Sequence, residues 1–101
     1  MNIGQAIRMC RSRRGLSLLQ LARSAKCSAS YLSMLESGER QDPTLSTIKK
    51  IAIALNVPLG ILFFLGAEKD DLVGIDKDLS GQLAATALEL LSESNNQPTL
   101  I

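Results

Sequence analysis

The chain has 101 residues, 46% of them apolar but only 3% aromatic, with no Trp and no His. That length suits one domain with a short extension. A core made of Leu, Ile, Val, Ala and Met suits packed helices better than a sheet. No apolar run is long enough to span a bilayer, and no basic leader precedes an apolar stretch with a cleavage site, so a cytoplasmic protein is expected.

The net charge of +1 hides an asymmetry. Residues 1–50 hold nine Lys or Arg against three acids, a balance of +6, and residues 51–101 hold two against seven, a balance of −5. The N-terminal half can attract phosphate and the C-terminal half cannot. Cys10 and Cys27 form no CxxC pair and have no His to join them, so no metal, cofactor or catalytic thiol is expected; both read as small buried hydrophobes.

The first helix is expected from about Asn2 to Arg14, with Ile3, Ile7 and Cys10 at core spacing and Gly15 as its stop. Ser17 caps the second, from about Leu18 to Ala25, and Gln20 three residues on completes a capping box. Its Leu18, Leu21, Ala22 and Ala25 recur at helical spacing. After the short connection Ala25-Lys26-Cys27, Ser28 caps the third helix, from about Ala29 to Ser37, which turns Leu32 and Leu35 inward and stops at Gly38. Two helices joined by so short a turn make a helix-turn-helix, and the later helix is free to enter a major groove. Thr44 caps the fourth helix, with Leu45, Ile48, Ala52 and Leu55 as its inward stripe. Pro58 opens the fifth and Gly66 closes it. Residues 67–77 read as an acidic linker, residues 78–94 as a last helix capped by Asp78 with Leu79, Leu83, Ala87 and Leu90 on one side, and residues 95–101 as a flexible tail.

A set of spaced residues carries a resemblance: Gly15-Leu16-Ser17, Leu21-Ala22, Ser28, Tyr31-Leu32-Ser33, Glu36-x-Gly38, Pro43, Leu45, Ile51-Ala52, Leu55 and Val57. Over roughly Ile3 to Leu65 the chain resembles the phage-repressor (Cro-like, xenobiotic-response-element) helix-turn-helix family. The resemblance implies an all-α fold, with a compact five-helix helix-turn-helix domain over residues 1–66 followed by the C-terminal helix. It also implies sequence-specific binding to double-stranded DNA, usually by a dimer.

Residues on one exposed face of the third helix, Ala29, Ser30, Ser33 and Met34, are those through which the family reads bases. None makes a strongly discriminating bidentate contact, which leaves room for specificity to rest on backbone positioning and DNA deformability. Expected phosphate contacts are Ser17, Leu18, Ser28, Tyr31, Arg40, Gln41, Thr44, Arg13 and Arg14, with Arg8, Arg23 and Lys26 as further candidates. Two residues depart from the family pattern. Leu18 stands where a phosphate-binding Gln is usual, and Lys26, where Gly is usual, must go left-handed or use another turn. By the same resemblance Arg11 and Glu36 form a structural ion pair joining the first and third helices.

The fifth helix is apolar all round through Ile61-Leu62-Phe63-Phe64-Leu65, so the C-terminal helix or a second subunit must cover it. A homodimer with Phe63, Phe64, Leu83 and Leu90 at its interface is expected. The function expected is that of a dimeric transcriptional regulator, a repressor binding a palindromic operator. The alternative is a protein-binding helix-turn-helix module, such as an antitoxin or partner-controlled regulator, kept open by the weak base-reading set. An enzyme is disfavoured, because the chain lacks His, a nucleophile-base arrangement and a Gly-rich phosphate loop.

Overall fold

The computed structural model describes residues 1–72 and 77–92, and the side chains of 72, 77–80 and 92 lie outside that description. The last helix begins at Lys77, so Asp78 lies inside it rather than at its cap, while the Leu79 side chain and the 95–101 tail fall outside the described residues. The described chain is all-α: α1 (Ile3–Arg13), α2 (Leu18–Ala25), α3 (Ala29–Ser37), α4 (Leu45–Leu55), α5 (Leu59–Gly66) and α6 (Lys77–Ser92).

Each of the first four helices starts on a side-chain cap bonding the amide three residues on: Asn2 to Gln5, Ser17 to Gln20, Ser28 to Tyr31 and Thr44 to Thr47. At Ser17 the Gln20 side chain returns the bond to the cap amide at 2.8 Å, completing the box. Lys26 ends α2 in the left-handed region at φ 58°, and Gly38 ends α3 there at φ 87°. The backbone turns through 106° between α4 and α5, across Asn56 and Pro58. None of the described helices is by itself long and apolar enough to cross a membrane.

The core is aliphatic. Ile3, Ile7 and Cys10 of α1, Leu21 and Ala22 of α2, Leu32 and Leu35 of α3, Ile51 and Leu55 of α4, and Leu62 of α5 are all buried. α1 lies at the centre against α3, α4, α5 and α6, while α2 bridges α3 and α4.

The expectations for Leu45 and Cys27 need correction, and one stretch gains local detail. The inward stripe of α4 is Ile48, Ile51, Ala52 and Leu55, whereas Leu45 is 52% exposed. Leu45 is the first residue of α4 and lies at the edge of the stripe set by Ile48, Ile51, Ala52 and Leu55, so its apolar character alone did not bury it. Within the stretch expected as linker, residues Lys69–Leu72 form a 3-10 turn. It is tied to the chain start, because the Met1 amino group bonds Glu68 and reaches Asp71 at 2.9 Å. Cys27 is only half-buried, because it sits in the turn between α2 and α3 rather than under it.

On α5, Leu62 is buried while Ile61, Phe63, Phe64 and Leu65 are half-buried, because α1, α4 and α6 surround it on three sides. α6 contributes Leu91 to the common core and packs Ala87 inside. Part of the apolar cover of α5 thus comes from within the chain.

Candidate nucleic-acid interface

α3 packs mainly on α1 and α2, which leaves its remaining face open. Ser30, Ser33 and Ser37 stand exposed on that face, with Met34 half-buried at its edge. Ala29 is partly packed against the core, so its methyl serves the fold as well as the surface.

α3 is held in place by Arg11 of α1. Its Nε donates to Glu36 Oε2 at 2.8 Å and its Nη2 to Glu36 Oε1 at 2.9 Å, while Nη1 donates to the Leu16 carbonyl at 2.9 Å. The Glu36 side chain is 7% exposed and that of Arg11 18%, so water screens this pair little. The Glu36 hydrogen bond comes first in raising the Arg11 pKa, and burial opposes it. One planar fork thereby joins α1, the α1–α2 turn and the end of α3.

Arg14 has a different place from the one expected for it. Its Nε donates to the Leu55 carbonyl at 3.0 Å and its Nη2 to the Asn56 carbonyl at 2.7 Å. It thus supplies donors to carbonyls left open at the end of α4 and joins α1 to the α4–α5 corner. Two of the guanidinium donors are thereby engaged in the fold. Arg13 shares a shallow groove on α1 with Gln5, Arg8, Met9 and Ser12.

Arg8 also lines a second groove with Leu18, Ser33, Glu36 and Ser37, on one flank of the α3 serines. On the other flank lies Arg40. Its guanidinium carbon sits 5.6 Å from the centre of the Tyr31 ring, and its backbone N–H donates to the Met34 carbonyl at 3.0 Å. Gln41 Nε2 donates to the Gly38 carbonyl at 3.0 Å, tightening the same loop. Of the nearby acids, Glu36 is paired with Arg11, while Glu39 and Asp42 stand exposed in the loop around Arg40. Positive charge on this surface is therefore only partly neutralised from within.

The caps at Ser17, Ser28 and Thr44 use an oxygen lone pair each. At Ser17 and Ser28 this leaves the hydroxyl proton available to an outside acceptor. The first two amides of α2, α3 and α4 have no partner inside their helices, so three N-termini present donors outward. Leu18 is half-buried against the core, and its contribution at this surface is its amide. Burial pushes the Cys10 thiol up to about 11 and raises that of Cys27, with the charge of Lys50 opposing the latter. Both thiols stay protonated at neutral pH, which leaves neither a ready nucleophile. Among the described residues no three of Cys, Asp and Glu gather as a metal site.

Sequence reasoning missed the Arg14 carbonyl contacts and the Tyr31–Arg40 cation–π contact. The first joins residues 41 and 42 positions apart, and no local spacing reports it. The second had a faint signal in an aromatic residue on the helix that precedes a basic loop.

Residues 7–62 match the helix-turn-helix family. The chain is 43% identical over 61 residues to the HTH-type transcriptional regulator SlrR of Bacillus subtilis (strain 168), covering 60% of this chain and 40% of that protein. It is 38% identical over 66 residues to the HTH-type transcriptional repressor RghR of the same organism, covering 64% and 49%. To the immunity repressor protein of Bacillus phage phi105 it is 39% identical over 62 residues, covering 61% and 42%. The chain thus spans about half or less of the length of these three relatives.

Proposed function

Because the chain belongs to the helix-turn-helix family, matched over more than half its length, we propose that it binds double-stranded DNA as a transcriptional regulator, a repressor that acts by occupying its operator. The observation that carries this reading is the open serine face of α3 flanked by Arg8 and Arg40, with the Glu36 carboxylate at its base already paired with Arg11. A duplex phosphate backbone would meet donors at three helix starts and cations on both sides of α3. Ser17, Ser28, Thr44, Gln41 and Arg40 are the groups assigned to phosphate. Ser30 and Ser33 face the base edges, and Met34 is suited to a thymine methyl. Similar proteins named as repressors support the direction of the effect.

The reading extends to a homodimer formed through α5 and α6. Leu88 is 40% exposed on a helix whose Leu83 and Leu90 are half-buried, and Phe63 and Phe64 of α5 are half-buried beside it. A second copy would remove this apolar surface from water. Two-fold symmetry then sets two α3 helices about 34 Å apart, on half-sites ~10 base pairs apart in an inverted repeat.

Selection of bound sequences from random duplex DNA tests both parts. An enriched inverted repeat with that spacing is expected, and footprinting of it should protect both half-sites. Enrichment of no sequence, together with no protection, would exclude the operator reading in favour of a protein-binding module.

A further inference from the structure

The arginines around α3 use their guanidinium groups differently. Arg11 gives its fork to Glu36 and Leu16, and Arg14 gives two donors to carbonyls of the α4–α5 corner. Arg40 lies over an aromatic ring, its guanidinium carbon 5.6 Å from the centre of Tyr31, and no carboxylate among the described residues pairs with it. A cation–π contact of this kind is electrostatic and leaves the guanidinium N–H donors available to an outside acceptor.

The backbone strengthens this arrangement. The Arg40 amide is bonded to the Met34 carbonyl, so the stem of Arg40 starts from the end of α3 and folds back toward Tyr31 in its first turn. Tyr31 is half-buried and packed against the core, so its ring is a firm base, whereas Arg40 is exposed. A long, rotamer-rich cation on a loop would otherwise lose much side-chain entropy on meeting a ligand.

We infer that Tyr31 is a positioning residue whose ring holds the Arg40 guanidinium beside α3, with its N–H donors free to take one DNA phosphate in a bidentate contact. The inference rests on the DNA-binding reading above and changes the part assigned to Tyr31. The ring, rather than the hydroxyl, matters, and it acts through Arg40 rather than by touching DNA itself.

The test is a double-mutant cycle on binding to mixed-sequence duplex DNA at low salt, with melting curves for every variant. Tyr31→Phe keeps the ring and should bind within about twofold of wild type. Tyr31→Leu keeps apolar bulk but removes the ring, and should weaken binding roughly two- to fivefold, the worth of an exposed cation–π contact. In an Arg40→Ala background the same Tyr31→Leu change should have no further effect. Arg40→Lys, which keeps the charge without the planar fork, should not recover wild-type affinity. In NMR spectra the Arg40 Nε–H signal should carry a ring-current displacement that Tyr31→Phe keeps and Tyr31→Leu removes.

Equal losses for Tyr31→Phe and Tyr31→Leu would assign the effect to the hydroxyl and overturn the inference. Additive losses for Tyr31→Leu and Arg40→Ala, with wild type binding normally, would overturn it while leaving DNA binding in place. A wild-type chain that leaves the duplex unbound would remove the DNA reading itself, and this inference with it.

Discussion

Gly4 of α1 lies with its backbone against the carbonyl of Leu35 in α3, so close that an added Cβ would stand 1.9 Å from that oxygen. Neither backbone can yield easily, because α1 is the centre of the core and Leu35 is buried in it. Gly4→Ala should therefore cost about 3 kcal/mol or more in denaturant unfolding, through overpacking rather than lost propensity. At Gly81 in α6 an added Cβ would meet nothing within 4 Å, and Gly81→Ala should instead stabilise by about 0.5–1 kcal/mol. Equal and small effects at the two sites would contradict the close α1–α3 contact.

Arg11→Ala should destabilise the chain by about 2–4 kcal/mol, because it strands a Glu36 carboxylate whose side chain is 7% exposed. Urea melts are the measurement. An unchanged midpoint accompanied by lost DNA binding would mean that Arg11 serves DNA rather than the fold.

Lys26 holds φ 58° at the end of α2, a conformation in which a Cβ is crowded by the following carbonyl. Lys26→Gly should raise stability by about 1 kcal/mol while removing one positive charge from the surface. A loss of thermal stability in that variant would show that the Lys26 side chain contributes more than its backbone costs.

Arg40→Ala should weaken binding about equally for all duplex sequences and lower the log–log salt slope by roughly one unit, as for one lost phosphate contact. An effect confined to one base pair of an enriched site would make Arg40 a base reader.

Leu88 is 40% exposed, so Leu88→Glu should leave the fold intact while setting a charge into the proposed α5–α6 dimer contact. Light scattering should find a monomer with wild-type helical content and much weaker operator binding, since the second half-site is no longer coupled. Phe64→Glu should act in the same direction with some loss of stability, because Phe64 is half-buried. A Leu88→Glu chain that remains dimeric would locate the interface elsewhere.

The helix starts were legible in the sequence because a cap is a local bond. Ser17, Ser28 and Thr44 each reach the amide three residues on, and that spacing is written along the chain. The aliphatic core was legible for the same kind of reason, since Leu21, Ala22, Leu32 and Leu35 repeat at the helical period. Periodicity gives a direction only relative to the helix itself, so it could not tell that Leu45, at the start of α4, stays in water while Ile48 one turn on is buried. Nor does a count of basic residues distinguish Arg11, Arg14 and Arg40, which lie within one basic half of the chain. The sequence determined that cations and helix starts would accompany α3. The tertiary structure decided that Arg11 meets a carboxylate, Arg14 meets carbonyls and Arg40 meets a ring, because the partner within reach of a long side chain is set by packing between distant segments.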